Sequence, residues 1–106
     1  MGRLTAEEFA AADGTQDWRV LGWQAQTVFR TGDFATGLRL VNAVGELAER
    51  ADHHPDVKLS YPLVELRLAT HSTSSLTDKD VALAREISAA ARDLGVEADP
   101  GAAAEW

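Results

Sequence analysis

All three histidines of the chain, His53, His54 and His71, fall within nineteen positions, and acids bracket them: Glu49 precedes His53 by four residues and Asp80 follows His71 by nine. Imidazole has an ordinary pKa near ~6.5, so it can give or take a proton at neutral pH, and such a cluster points to acid–base chemistry. The chain has no cysteine, which removes disulfides, thiolate nucleophiles and Cys-ligated zinc and leaves histidine, carboxylate and hydroxyl groups. Adjacent His53 and His54 cannot easily close on one ion and no His-x3-His pair exists, so neither a metal nor another cofactor is expected. Where a chain leaves a helix, neighbouring side chains diverge. His53 and His54 should therefore meet different edges of a flat ligand, with His71 arriving from another element. Glu49 lies on the helical face of His53, close enough to orient an imidazole or to accept a ligand N–H.

These residues have to be positioned by the elements around them. Thr5-Ala6-Glu7-Glu8 reads as a capping box opening a short helix through about Ala12, which Asp13-Gly14 breaks. Residues 18–23 and 26–30 carry β-branched and aromatic residues in partial alternation, the pattern of an antiparallel strand pair. Asp33 is a good N-cap for a long helix with an apolar face at Phe34, Leu38, Val41, Val44 or Leu47, Ala48 and Ala51, and Pro55 should stop that helix. His53 and His54 then sit at its exit. A second strand pair is expected at 57–61 and 64–70, with Val64, Leu66 and Leu68 inward and Glu65, Arg67 and His71 of opposite parity. Thr77-Asp78-Lys79-Asp80 forms a second capping box, and Val81, Ala84, Ile87, Ala91 and Leu94 mark the buried stripe of a last helix closed by Gly95.

The resulting order, α-β-β-α-β-β-α, predicts an α+β two-layer sandwich: a four-stranded antiparallel sheet with helices on one face. A chain of 106 residues suits a single domain, placed at residues 1–98, with 99–106 as a flexible C-terminal tail without periodicity. The 45% apolar and 25% charged shares are those of a globular protein. No run approaches the ~20 apolar residues of a membrane span, and MGRLTAEEF has acids where a signal peptide has its apolar core, so a cytoplasmic protein without a membrane partner is expected. The net charge of −7, with ten scattered Lys and Arg, argues against direct nucleic-acid binding.

The run Glu49-x3-His53-His54-Pro55-x5-Tyr61-x9-His71-x8-Asp80 resembles the signature of the pterin-4a-carbinolamine dehydratases. Thr70-His71 and Leu76-Thr77-x-x-Asp80 look like that family too, and the likeness covers roughly residues 15–95. Seven fixed residues over 32 positions are far more specific than a lone glycine motif. The resemblance implies a hydro-lyase that dehydrates 4a-hydroxytetrahydropterin to quinonoid dihydropterin, for reuse of the tetrahydropterin cofactor. It implies proton transfer by His53 and His71, with His54 on the polar edge of the ring system and the three roles exchangeable. It also implies pocket roles for Glu49, Asp52, Lys79 and Asp80. Taken by themselves, Asp52 and Lys79 also fit plain solvated charges, and Asp80 fits a cap alone as well as a cap plus pocket. Tyr61 and Pro55 read as structural, a ring packed at a hairpin and a helix stop. Trp18, Trp23, Phe29 and Phe34 read as core or subunit-interface residues.

Two features depart from the family pattern: Asp56-Val57 replaces an aromatic soon after His-His-Pro, and Ser72-Thr73-Ser74-Ser75 replaces a glycine-containing stretch. Serine has less backbone freedom and can reshape the rim of the pocket. The alternative is therefore a non-catalytic binding or assembly module, a role that some members of the family have; three intact histidines favour the enzyme. A short four-stranded sheet has two open edges, from which a homodimer or a homotetramer is expected.

Overall fold

The computed structural model describes residues 2–102. The first helix starts where the sequence places its cap: the Thr5 hydroxyl accepts the Glu8 N–H at 3.1 Å, and the Glu8 carboxylate accepts the Thr5 N–H at 2.8 Å. This helix, α1 (Ala6–Ala11), buries Phe9. β1 (Arg19–Leu21) and β2 (Gln24–Arg30) follow as a hairpin that turns through Gly22 at φ +62°. Asp33 then caps α2 (Phe34–Ala51), its Oδ1 accepting the Thr36 N–H at 2.7 Å. Hydrogen bonds from Thr36, with a lesser pull from Arg39, hold the Asp33 carboxyl below its ordinary range. β3 (Asp56–Ser60) and β4 (Leu63–Leu68) form the second hairpin, α3 (Asp78–Asp93) follows, and β5 (Glu97–Ala98) closes the described chain with a 3₁₀ turn at Pro100–Ala102.

The sheet is antiparallel in the order β1-β2-β4-β3. β2 and β4 are its centre, in register from Ala25 opposite Leu68 to Arg30 opposite Leu63. Period-two alternation puts Ala25 and Phe29 of β2 on one face with Val64, Leu66 and Leu68 of β4, and there they meet Leu40 and Val44 of α2 and Leu83, Ala84 and Ile87 of α3. This is the two-layer α+β arrangement expected. Removing each such Val, Leu, Ile or Phe side chain from water contributes about 1.5–3 kcal/mol. Among the described residues, no helix is long and apolar enough to cross a membrane.

Several local expectations are corrected. β5 adds a fifth strand, pairing Ala98 with Phe29 and Glu97 with Arg30. Of the expected tail 99–106, the first four residues are anchored: the Asp99 N–H donates to Val28 O at 2.7 Å and Arg30 Nε donates to the Asp99 carboxylate at 2.7 Å. Residues 103–106 lie outside the described residues. The buried stripe of α2 runs through Gly37, Leu40, Val44 and Ala48, whereas Phe34 and Leu38 are about half exposed. Its origin is Gly37, where an added Cβ would stand 2.7 Å from a methyl of Leu59. At Gly37 the helix packs against Leu59 of β3 without a side chain of its own, and Phe34 and Leu38 lie on the exposed side. Tyr61, at the tip of the β3–β4 hairpin, is solvent-exposed rather than packed, and Leu94 is also partly exposed.

Candidate active site

α2 ends before Pro55 can stop it. Asp52 takes the left-handed conformation at φ 49°, one that Asp tolerates better than most residues, and the His53 N–H turns back to Ala48 O at 3.1 Å. This reversal separates the two neighbouring histidines. His53 turns inward, its Nε2 2.6 Å from Asp80 Oδ1. His54 stays exposed, its Nε2 2.5 Å from Glu49 Oε2. Glu49 thus meets the imidazole of His54 and not that of His53, whose helical face it was expected to share. The i, i+4 relation holds only within continuous helix, and the helix has ended by residue 52.

Asp80 has no solvent exposure. A buried carboxylate needs donors on both oxygens, and each is supplied. Oδ1 faces His53, while Oδ2 accepts the Thr77 N–H at 2.9 Å and the Thr70 hydroxyl at 2.7 Å. One oxygen closes the capping box of α3, and the other meets the His53 imidazole. A carboxylate only accepts, so His53 Nε2 donates and Nδ1 is left as the nitrogen able to exchange a proton.

The opposite wall comes from the turn after β4. Thr70 pairs with Ser75 through N–H···O bonds of 2.8 and 3.3 Å, and Ser74 sits within this turn at φ 48°. The turn carries His71, whose ring stands edge-on to Trp23 with centroids 5.6 Å apart. Between the walls lies a cleft of about 280 Å³ lined by Asp52, His53, His54, Thr70, His71 and Lys79, with Ala69 and Ser72. Larger hollows flank α1, up to 540 Å³, but aliphatic stems and scattered charges line them and no imidazole reaches them. Among the described residues no group of three His, Asp or Glu is placed to hold a metal.

Residues 2–90 match the family model described as Pterin 4 alpha carbinolamine dehydratase. The chain belongs to the pterin-4a-carbinolamine dehydratase family. Proteins of Cyanothece sp. and Nocardia farcinica, both named "Putative pterin-4-alpha-carbinolamine dehydratase", are similar to it. The first is 43% identical over 76 residues, covering 72% of this chain and 78% of the relative. The second is 38% identical over 90 residues, covering 84% and 95%. The crystal structure titled transcriptional coactivator/pterin dehydratase from Brucella melitensis superposes with a TM-score of 0.74 at 32% identity, over 85% of this chain and 99% of that one.

Relative to the residues that suggested the dehydratase family, the cleft gathers His53, His54, His71, Asp52 and Lys79. Glu49 stands outside it behind His54, in an apolar groove with Val41, Val44, Pro55 and Val57, and Asp80 lies beneath its floor. Two neighbours were missed. Trp23, read as core or interface, lies 41% exposed in this chain with its ring against His71; its position one residue after the Gly22 turn was the available signal for that contact. Thr70 continues the inward register of Val64, Leu66 and Leu68. A hydroxyl in an apolar register was the mark of a buried polar partner.

Proposed function

We propose that this cleft dehydrates 4a-hydroxytetrahydropterin to quinonoid dihydropterin by histidine acid–base catalysis, in the recycling of the tetrahydropterin cofactor. The observation that carries the reading is a pair of imidazoles from separate elements, His53 after α2 and His71 after β4, lining one cleft in a chain of this family. The reaction breaks the bond from ring carbon 4a to its hydroxyl oxygen, removes the proton of the adjacent ring nitrogen and forms a C=N bond. It needs an acid at the leaving oxygen and a base at the nitrogen. His53 and His71 serve these two roles, in either assignment. His54, Asp52 and Lys79 bind the polar edge of the bicycle. Glu49 acts through His54 and Asp80 through His53. No cofactor enters this scheme.

The test is a dehydration assay with chemically or enzymatically generated 4a-hydroxytetrahydropterin, followed by the absorbance of the quinonoid product. Loss of water faster than in buffer is the expected result. A rate equal to buffer, from folded protein, sinks the reading.

The same proposal includes a homo-oligomer, a dimer or a dimer of dimers, in the cytoplasm. Support comes from β3, whose outer edge has no strand partner among the described residues, and from the exposed Val57 of β3 and Phe34 and Leu38 of α2. An unpaired edge and an apolar flank both favour a second copy. Light scattering at micromolar concentration should give a multiple of the 11.4 kDa chain mass, and a monomer mass unchanged on concentrating refutes it.

A further inference from the structure

We infer that Thr70 is a positioning residue for His53: its hydroxyl, held by Thr77 and aimed at Asp80, fixes where the His53 ring stands and which of its nitrogens carries hydrogen. Thr70 has one hydroxyl hydrogen, and Asp80 Oδ2 receives it at 2.7 Å. In its 2.8 Å contact with Thr77 Oγ1, Thr70 therefore accepts and Thr77 donates. The chain of donors runs one way, from the Thr77 hydroxyl to Thr70 to Asp80. Thr77 and Asp80 are at most 1% exposed and Thr70 lines the cleft at 8%, so the bonds between them are shielded from bulk water.

The geometry explains why one hydroxyl matters. With the Thr77 N–H alone on Oδ2, the carboxylate can pivot about that single bond and carry Oδ1 away from His53. Two donors on Oδ2 hold the carboxylate plane, and Oδ1 then stays 2.6 Å from His53 Nε2. The ring keeps its hydrogen on Nε2 and leaves Nδ1 free. Thr70 also anchors the other wall, since its backbone pairs with Ser75 and its next neighbour is His71. The spacing between the two imidazoles is set through His53, Asp80, Thr70 and His71, with only hydrogen bonds and one peptide link between them.

The experiment uses the full chain and two substitutions: Thr70→Val, which replaces the hydroxyl by a methyl, and Thr70→Ser, which keeps it. The first readout is the ¹⁵N imidazole spectrum without substrate near pH ~8, where free histidine is neutral. The parent should show His53 as a single Nε2–H tautomer, Thr70→Val a mixture, and Thr70→Ser the parental state. The second readout rests on the proposed dehydratase reading: kcat should fall about 10-fold in Thr70→Val with KM little changed, and recover in Thr70→Ser. The expected tautomer pattern without turnover in the parent supports the positioning role while sinking the dehydratase reading. Parental His53 found as Nδ1–H, or as a mixture, overturns the inference even if Thr70→Val does not fold. A folded Thr70→Val that keeps the single tautomer overturns it as well.

Discussion

Both long helices begin on a side-chain oxygen that accepts a backbone N–H, Asp33 for α2 and Thr77 with Asp80 for α3, but the two starts differ in what surrounds them. Asp33 is exposed and serves the Thr36 N–H. Asp80 is fully buried, and after closing the capping box it has an oxygen left over for His53. An exposed cap finishes its hydrogen bonds with water and stays local. A buried cap must find protein partners for every lone pair, and those partners tie α3 to the exit of α2 and to the turn after β4. Burial, more than residue type, turns a helix start into the support of a site.

The largest effect is expected at the buried start. Asp80→Ala strands the His53 ring, the Thr70 hydroxyl and the Thr77 N–H together, and should cost about 3 kcal/mol of stability. Urea unfolding followed by the fluorescence of buried Trp18 measures it. Asp33→Ala should shift the midpoint in the same direction by clearly less, because water replaces the lost acceptor. Equal shifts would mean that burial makes no difference between the two caps.

The next contrast lies between adjacent histidines. His53→Ala or His71→Ala should lower the dehydration rate by a factor on the order of 10² or more in protein that still folds, as loss of an acid or base does. His53→Ala should also be less stable, because it leaves Asp80 Oδ1 without its donor. His54 and Glu49 are exposed, with side-chain accessibilities of 56% and 79%, and ion pairs so wet contribute little to folding. His54→Ala should leave the unfolding midpoint within about 0.5 kcal/mol of the parent and affect the reaction mainly through KM. Equal loss of kcat in His53→Ala and His54→Ala would contradict the division between an inward and an outward imidazole.

Both capping boxes could be read from sequence because Thr-x-x-Glu and Thr-x-x-Asp state a local, reciprocal chemistry. The alternation of β4 was equally plain, since Val64, Leu66 and Leu68 show their period whatever they pack against. What stayed hidden depended on partners distant in sequence. Gly37 sets the roll of α2 by lacking a side chain, which counting apolar residues cannot register. Asp52 ends α2 in a left-handed turn, so the Glu49 carboxylate meets His54 where helical spacing pointed to His53. β5 is two residues long, too short for any periodicity, and owes its place to β2. The histidine cluster itself was visible, but the Thr70–Asp80 link beneath it joins residues that share no local pattern.

The smallest effect expected is the pH dependence of the exposed cap. Hydrogen bonds from Thr36 lower the Asp33 carboxyl below its ordinary range. A folded-state value below the unfolded one, near ~3.9 for a free Asp, means that the charged form is bound more tightly by the folded chain. Its contribution is fully present above the unfolded value and is lost as pH falls through the lowered folded one. Asp33→Asn separates charge from capping, because Asn caps a helix about as well as Asp but does not titrate. The parent should therefore be slightly more stable than Asp33→Asn at neutral pH, and the gap between their urea midpoints should close as the solution is taken below ~3.9. A gap that stays constant down through that range would show that the charge of Asp33 is not the source of its advantage. It would leave the contrast between the helix starts resting on Asp80.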